Sequence, residues 1–184
     1  MIRLRSGLVA LFIAVALTAC DERAEESSVP PPQEVTDTAM GHYCGMALIE
    51  HAGPKGQIFL KSRKEPIWFS SVRDTLAFTM LPEEPKDITA IYVNDMSQAK
   101  SWDDPGAGTW ILAKDAWYVI GSKRKGGMGG DELVPFGSDQ AAQAFVVENS
   151  GRIAAFTEIP RSAVLGSEAK PSSAAAPAEP SHAH

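Results

Sequence analysis

Apart from an apolar run at 7–17, residues able to build a core are confined to the middle of this 184-residue chain. Before about residue 40 and after about residue 163 the sequence turns to Ser, Pro, Ala and acidic side chains ("DERAEESSVPPPQEVTDTA", 21–39; "GSEAKPSSAAAPAEPSHAH", 166–184). Such stretches bury too little apolar surface to offset the entropy of ordering. The expected organisation is therefore a disordered tether over 20–39, a globular part over about 40–163 and a disordered tail over 164–184. The globular part is long enough for one ordinary domain or two very small ones.

Residues 1–19 read as a lipoprotein signal peptide. Arg3 and Arg5 give the positive start, and "GLVALFIAVAL" (7–17) gives an apolar segment too short to span a bilayer comfortably. It ends in "LTAC" (17–20), small residues directly before a cysteine, which resembles a bacterial lipobox. That resemblance implies cleavage before Cys20 and lipidation there, with two or three acyl chains holding the protein firmly to a membrane. The alternative is an ordinary secretory leader with an incidental cysteine. The expected location is periplasmic and lipid-anchored. The formal net charge of −6 becomes −8 once Arg3 and Arg5 leave with the leader, which argues against a nucleic-acid partner.

The chain has two cysteines. With Cys20 lipidated, Cys44 is alone and cannot form an internal disulfide, and exported compartments are oxidising. Burial, an intermolecular disulfide or metal ligation would preserve it. Burial is the usual fate of a free Cys, but "GHYCGMALIEH" (41–51) surrounds this one with Gly, His and Tyr at the edge of the tether.

Within the core, "GQIFLKS" (56–62) and "EPIWFSS" (65–71) are strand candidates. "SVRDTLAFTML" (71–81) suits a short amphipathic helix capped by Ser71 and stopped by Pro82, and "DITAIYVND" (87–95) alternates as a strand. The order is ββαβ, and the second half echoes it. "GTWILAKDAWYVIGS" (108–122) and "DELVPFGS" (131–138) supply strands, "SDQAAQAFVVENS" (138–150) a helix, and "GRIAAFTEI" (151–159) a strand. In both halves an apolar run ends in Phe69 or Phe136, a small cap follows, and the helix reaches Phe78 or Phe145. The expected fold is α+β: two repeated ββαβ units with antiparallel or mixed sheets, over 40–100 and 101–163. Chance agreement between two amphipathic segments is the alternative. "SKRKGGMGGDE" (122–132) interrupts the second unit and reads as a mobile loop carrying one exposed thioether.

Cys44 and Met46 lie two apart. In an extended segment they would share a face, with Gly45 leaving room for an ion. A thiolate with a thioether is a soft pair suited to Cu(I) and less to Zn(II), and bound Cu(I) would hold the sulfur as thiolate. A third ligand is needed. Met128 ranks first because its four flanking glycines make core packing improbable; His51 and His42 come next, and Met40 is near in sequence. Met80 continues an apolar helix face, Met96 sits in a connector, and His182 and His184 in the tail carry no specific role. Catalytic signals are sparse. There is no C-x-x-C, Ser elbow, P-loop or dinucleotide fingerprint, so the expectation is a protein that is not an enzyme. The alternatives are a periplasmic thiol-dependent enzyme using Cys44 and a metal-free adaptor.

The lipobox, "CGM" (44–46), "HAGPKGQIFL" (51–60), "WFSSVRDTLAFTMLPEEPKDITAIYVNDM" (68–96), "AWYVIGS" (116–122) and "GGMGGDELVPF" (126–136) together closely resemble the NosL family. The resemblance covers nearly all of 40–163. It implies paired ββαβ units and a copper chaperone that binds Cu(I) in the periplasm. It further implies delivery toward the copper–sulfide cluster of nitrous oxide reductase through a membrane ABC-type assembly complex. Cys44 and Met46 match the family's C-G-M segment and Met128 its Gly-flanked Met; between His42 and His51 the resemblance does not choose.

Overall fold

The computed structural model describes residues 29–166. The leader, Cys20, the first part of the tether and the tail with His182 and His184 lie outside the described residues.

Two antiparallel sheets carry the structure. The first has strand order β2-β1-β3-β4, built from β1 (Gly56–Leu60), β2 (Ile67–Phe69), β3 (Ile88–Asn94) and β4 (Trp110–Leu112). The second has order β6-β5-β7, built from β5 (Trp117–Lys125), β6 (Asp131–Phe136) and β7 (Arg152–Ala155). Helix α1 (Val72–Met80) joins β2 to β3, and α2 (Asp139–Asn149) joins β6 to β7. The two units thus share one connection pattern: a hairpin, then a helix, then a third strand on the far side of the first. A short helix α3 (Arg161–Leu165) ends the described chain.

The internal echo becomes a physical repeat at the strand-to-helix corners. Ser71 caps α1 by accepting from Asp74 N at 3.1 Å, and Ser138 caps α2 by accepting from Ala141 N at 3.2 Å. The Phe69 and Phe78 rings meet at 5.5 Å, and the Phe136 and Phe145 rings at 5.1 Å. In each unit the aromatic that ends the second strand receives the aromatic of the helix, within the range where ring pairs attract.

Two segments differ from the expectation. The stretch 108–122 is divided between the sheets. Trp110–Leu112 pairs with β3 (Tyr92↔Leu112, Asn94↔Trp110), and a 3-10 turn then carries the chain to β5. Alternation marks a strand but does not say which sheet receives it. The expected loop 122–132 shrinks to 126–130, because β5 runs on to Lys125 and pairs Lys125↔Asp131. That pairing is reinforced by an ion pair between the same two side chains. Inside it, Gly126 N donates to Gly130 O at 3.0 Å and Gly129 N to Gly126 O at 2.8 Å, so the glycines form a closed hairpin turn.

Residues 29–39 of the expected tether make defined contacts across the outer face of the first sheet. The buried Gln57 side chain exchanges two hydrogen bonds with the Gln33 backbone, both 2.9 Å. Tyr92 Oη donates to Pro30 O, and Glu34 accepts from Gly108 N and Trp110 Nε1. Composition underestimates this segment because the polar partners waiting on β1, β3 and β4 are remote in sequence.

One core joins the units. Val72, Leu76 and Ala77 of α1 pack with Val93 of β3, Tyr118 of β5, Leu133 of β6 and Val164 of α3. Buried polar groups accompany this seam. Glu132 of β6 accepts from Arg73 N in the first turn of α1 and from Leu133 N, both on Oε1. Its Oε2 has no partner among the described residues. Lys55, also buried, donates Nζ to His51 O and Gly53 O.

Burial pushes the Glu132 carboxyl up from its ordinary 4.5 to about 8, although its two backbone bonds pull it down. The folded protein therefore keeps a proton that the unfolded chain releases above pH 4.5, and stability falls as pH rises between about 4.5 and 8. Glu132→Gln cannot ionise. Relative to wild type it is expected to gain stability across that window, by at most about 1.4 kcal/mol per pH unit. Urea unfolding of both proteins at pH 5 and pH 8 checks this; parallel pH profiles would contradict it.

Candidate metal site

The stretch "GHYCGMALIEH" folds as a tight turn, not as an extended segment. Met40 pairs with Ala47, Gly41 N donates to Met46 O at 2.9 Å, and Gly45 N donates to Gly41 O at 2.8 Å. Gly45 takes a φ of +65°, which its lack of a Cβ permits. These bonds remove the two-residue alternation that an extended chain would impose on Cys44 and Met46. The turn is fixed to the edge strand β2 by the Gly41↔Trp68 bridge and by His42 N donating to Trp68 O at 2.8 Å. Each is a main-chain contact that covers a strand edge otherwise open to other chains.

Cys44 is half-buried, and its Sγ meets three groups. His51 Nε2 lies at 3.6 Å, Ser70 Oγ at 3.6 Å and Gly41 O at 3.9 Å. The sulfur occupies space that a side chain on residue 41 would take: a Cβ there would fall 2.5 Å from it. His51 is 4% exposed. Its main chain is held by the 3-10 turn through His51 N to Leu48 O at 3.1 Å, and by Lys55 Nζ on its carbonyl. A buried imidazole with a fixed backbone, aimed at a thiol, is a preorganised pair of soft and borderline donors.

The thioethers are placed differently. Met46 is 42% exposed and Met128 59% exposed; Met40 is also exposed. Met128 follows Gly127, and Gly127 packs directly on His51: a Cβ there would come 2.5 Å from His51 Cβ and 2.8 Å from Ala52 O. The glycine turn of the second unit is thus seated on the histidine of the first. His42 is engaged elsewhere. Its ring lies 5.7 Å from that of Phe69 and 5.5 Å from that of Phe78, and its Nε2 is 3.4 Å from Glu84 Oε1. Tyr43 Oη donates to the same Glu84 oxygen at 2.9 Å. Met80 packs against the core at the seam and Met96 against the second unit's core.

The structure therefore brings Cys44 to His51 and the Met128 turn to His51, while His42 faces Glu84. Among the described residues no three His, Cys, Asp or Glu side chains converge. Sequence reasoning missed Ser70, which it placed only within the strand candidate 65–71, and missed the close approach of Gly127. Gly127 carried a signal, as a glycine beside a candidate ligand; Ser70 carried none, because its contact with Cys44 spans 26 residues.

A half-buried thiol beside a buried imidazole, with thioethers displayed nearby on paired ββαβ units, defines a small scaffold that presents soft donors at its surface. The NosL family model matches residues 32–164, and the chain belongs to that family. It is 49% identical over 164 residues to the copper-binding lipoprotein NosL of Achromobacter cycloclastes, covering 89% of this chain and 83% of that protein. It is 34% identical over 152 residues to the copper-binding lipoprotein NosL of Stutzerimonas stutzeri, covering 83% and 78%. The crystal structure of the copper chaperone NosL from Shewanella denitrificans matches with a TM-score of 0.67 at 34% identity, covering 72% of this chain and 99% of that one.

Gly127→Ala is expected to separate the glycine turn from His51, since both nearest atoms belong to main chain or to a Cβ and cannot swing aside. A loss of about 1–3 kcal/mol is expected, as for overpacked sites. Urea unfolding measures it, and displaced His51 ring resonances in NMR spectra locate it. An unshifted His51 ring with wild-type stability would contradict the packing described here.

Proposed function

We propose that this chain is a lipid-anchored Cu(I)-binding metallochaperone, and not an enzyme. The observation that carries the reading is the 3.6 Å approach of Cys44 Sγ to His51 Nε2, with Met128's turn seated on the same histidine. Membership of a family whose relatives are named copper-binding lipoproteins and a copper chaperone supports it. Cys44 supplies the anionic sulfur, His51 the imidazole, and Met46 or Met128 a thioether that needs no deprotonation. His42 is not proposed as a ligand, because Glu84 and the Phe69–Phe78 pair engage it.

The division between buried and exposed donors suits transfer. His51 stays fixed, whereas the exposed thioethers can leave the ion as a partner's ligand arrives. Copper would then pass by ligand exchange without a free ion. The proposed destination is the copper–sulfide cluster of nitrous oxide reductase, reached through a membrane ABC-type assembly complex. The proposed anchor is Cys20, on the periplasmic side of a membrane. No helix among the described residues is long and apolar enough to cross a bilayer.

The same Cys44–His51 contact favours one other reading, a thiol enzyme in which His51 activates Cys44. Cu(I) titration of the mature chain separates the two. One tightly bound ion per chain is expected, and Cys44→Ala should abolish it while unfolding within about 1 kcal/mol of wild type, as for changes outside the core. Thioester or disulfide turnover without copper binding would favour the enzyme. Full copper delivery in cells by Cys44→Ala would favour a metal-free adaptor.

Met128→Leu keeps size and apolarity but removes the thioether. Competition against a Cu(I) chelator should show weaker binding than wild type, by less than the loss in Cys44→Ala, because Cys44, His51 and Met46 remain. Wild-type affinity would remove Met128 from the ligand set.

A further inference from the structure

We infer that Ser70 is the hydrogen-bond donor to the Cys44 sulfur, and that this bond sets how tightly the sulfur holds its metal. The inference rests on the copper-binding role proposed for Cys44.

Ser70 is 2% exposed, so its hydroxyl cannot turn to bulk water. Cys44 Sγ, at 3.6 Å, is its one hydrogen-bond partner among the described residues. Sulfur's larger radius makes such a contact longer than one between oxygens. A buried hydroxyl left without a partner is costly, so the contact is retained. In the thiol state either atom can donate. Once the sulfur binds a metal it has no hydrogen to give, and its three neighbours differ in what they offer. Gly41 O can only accept. His51 Nε2, if its lone pair binds the metal, has no proton. Ser70 is the donor that remains.

Its position is fixed from both sides. Phe69 ends β2, and Ser71 begins α1 with its own side chain committed to Asp74 N. Two secondary-structure elements therefore hold the hydroxyl in place before any metal arrives. A hydrogen bond to an anionic acceptor is stronger than one to a neutral group. The contact consequently favours the metal-bound thiolate over the thiol, and it withdraws electron density from the sulfur as such bonds do around other metal centres.

The test compares wild type, Ser70→Ala, Ser70→Thr and Cys44→Ala, each as the full chain in detergent micelles. Cu(I) affinity is read by competition with a chromophoric chelator, and the copper–thiolate charge-transfer band by ultraviolet absorption. The rate of Cys44 alkylation in the metal-free protein gives an independent readout, and circular dichroism confirms the fold. Ser70→Ala should weaken Cu(I) binding about tenfold, the loss expected for one hydrogen bond to a charged group. It should also move the band to longer wavelength and slow alkylation. Ser70→Thr, which keeps the hydroxyl, should recover most of the affinity and the band position. Should Ser70→Ala bind as wild type with an unmoved band while Cys44→Ala loses copper, the role of Ser70 falls and the copper site stands. Should Ser70→Thr be as weak as Ser70→Ala, the hydroxyl is not the cause and the inference is overturned. Should Cys44→Ala bind as wild type, the copper role of Cys44 itself is overturned, and this inference with it.

Discussion

Helix α1 is buried on two sides, and the rest of the molecule is arranged around that fact. Phe78 packs toward its own sheet with Ile58, Ile67 and Phe69, while Val72 and Leu76 pack toward Tyr118 and Leu133 of the second. Its first turn supplies the amide that Glu132 receives from across the seam. The residue just before its cap, Ser70, touches the Cys44 sulfur. The candidate site is thus built on the helix that joins the two sheets. A change that loosens the seam would be felt at the sulfur through the Ser70 contact and the Glu132 bond, without a change to any ligand.

The fold was legible where local pattern and tertiary packing agree. Ser71 and Ser138 stand at the start of apolar 3.6-residue patterns and do cap helices, and the Phe69/Phe78 and Phe136/Phe145 echo marks equivalent corners. Legibility failed where a partner lies far along the chain. Nothing near Trp110 says that its strand joins β3, and nothing near Gln33 says that Gln57 will clasp it. At the site, Cys44, Met46 and Met128 stood out by chemical type alone. That His51 and not His42 lies beside the thiol could not be read, because it depends on Glu84 and two aromatic rings occupying one imidazole and leaving the other facing the sulfur. The glycines around Met128 suggested mobility; the use of Gly127 is steric, since only a residue without a side chain can lie against His51.

Soft donors at a surface face opposing demands. Enough burial is needed to shield a thiol from oxidation, and enough exposure to let a partner's ligand reach the ion. In the copper site proposed above, these demands would fall to different residues. Cys44 and His51 are withdrawn between Gly41, Ser70 and the Gly127 turn, whereas Met46 and Met128 remain at the surface. The thiol, the sulfur that oxidises most readily, is the partly sheltered one, and the thioethers are the accessible ones.

With Cys20 as the proposed anchor, the clasp of residues 29–39 on the first sheet would also limit how far the domain can travel. Composition assigns the whole of 20–39 to a free leash, yet from Pro30 onward the chain is bonded to β1, β3 and β4 and runs directly into the turn that holds Cys44. Val29 lies nine residues after Cys20, and even at full extension that span reaches only about 30 Å. Cys44 would therefore search a shallow shell close to the bilayer surface. A cargo exchanged there meets membrane-bound acceptors at a high local concentration, and soluble ones only when they come to the membrane.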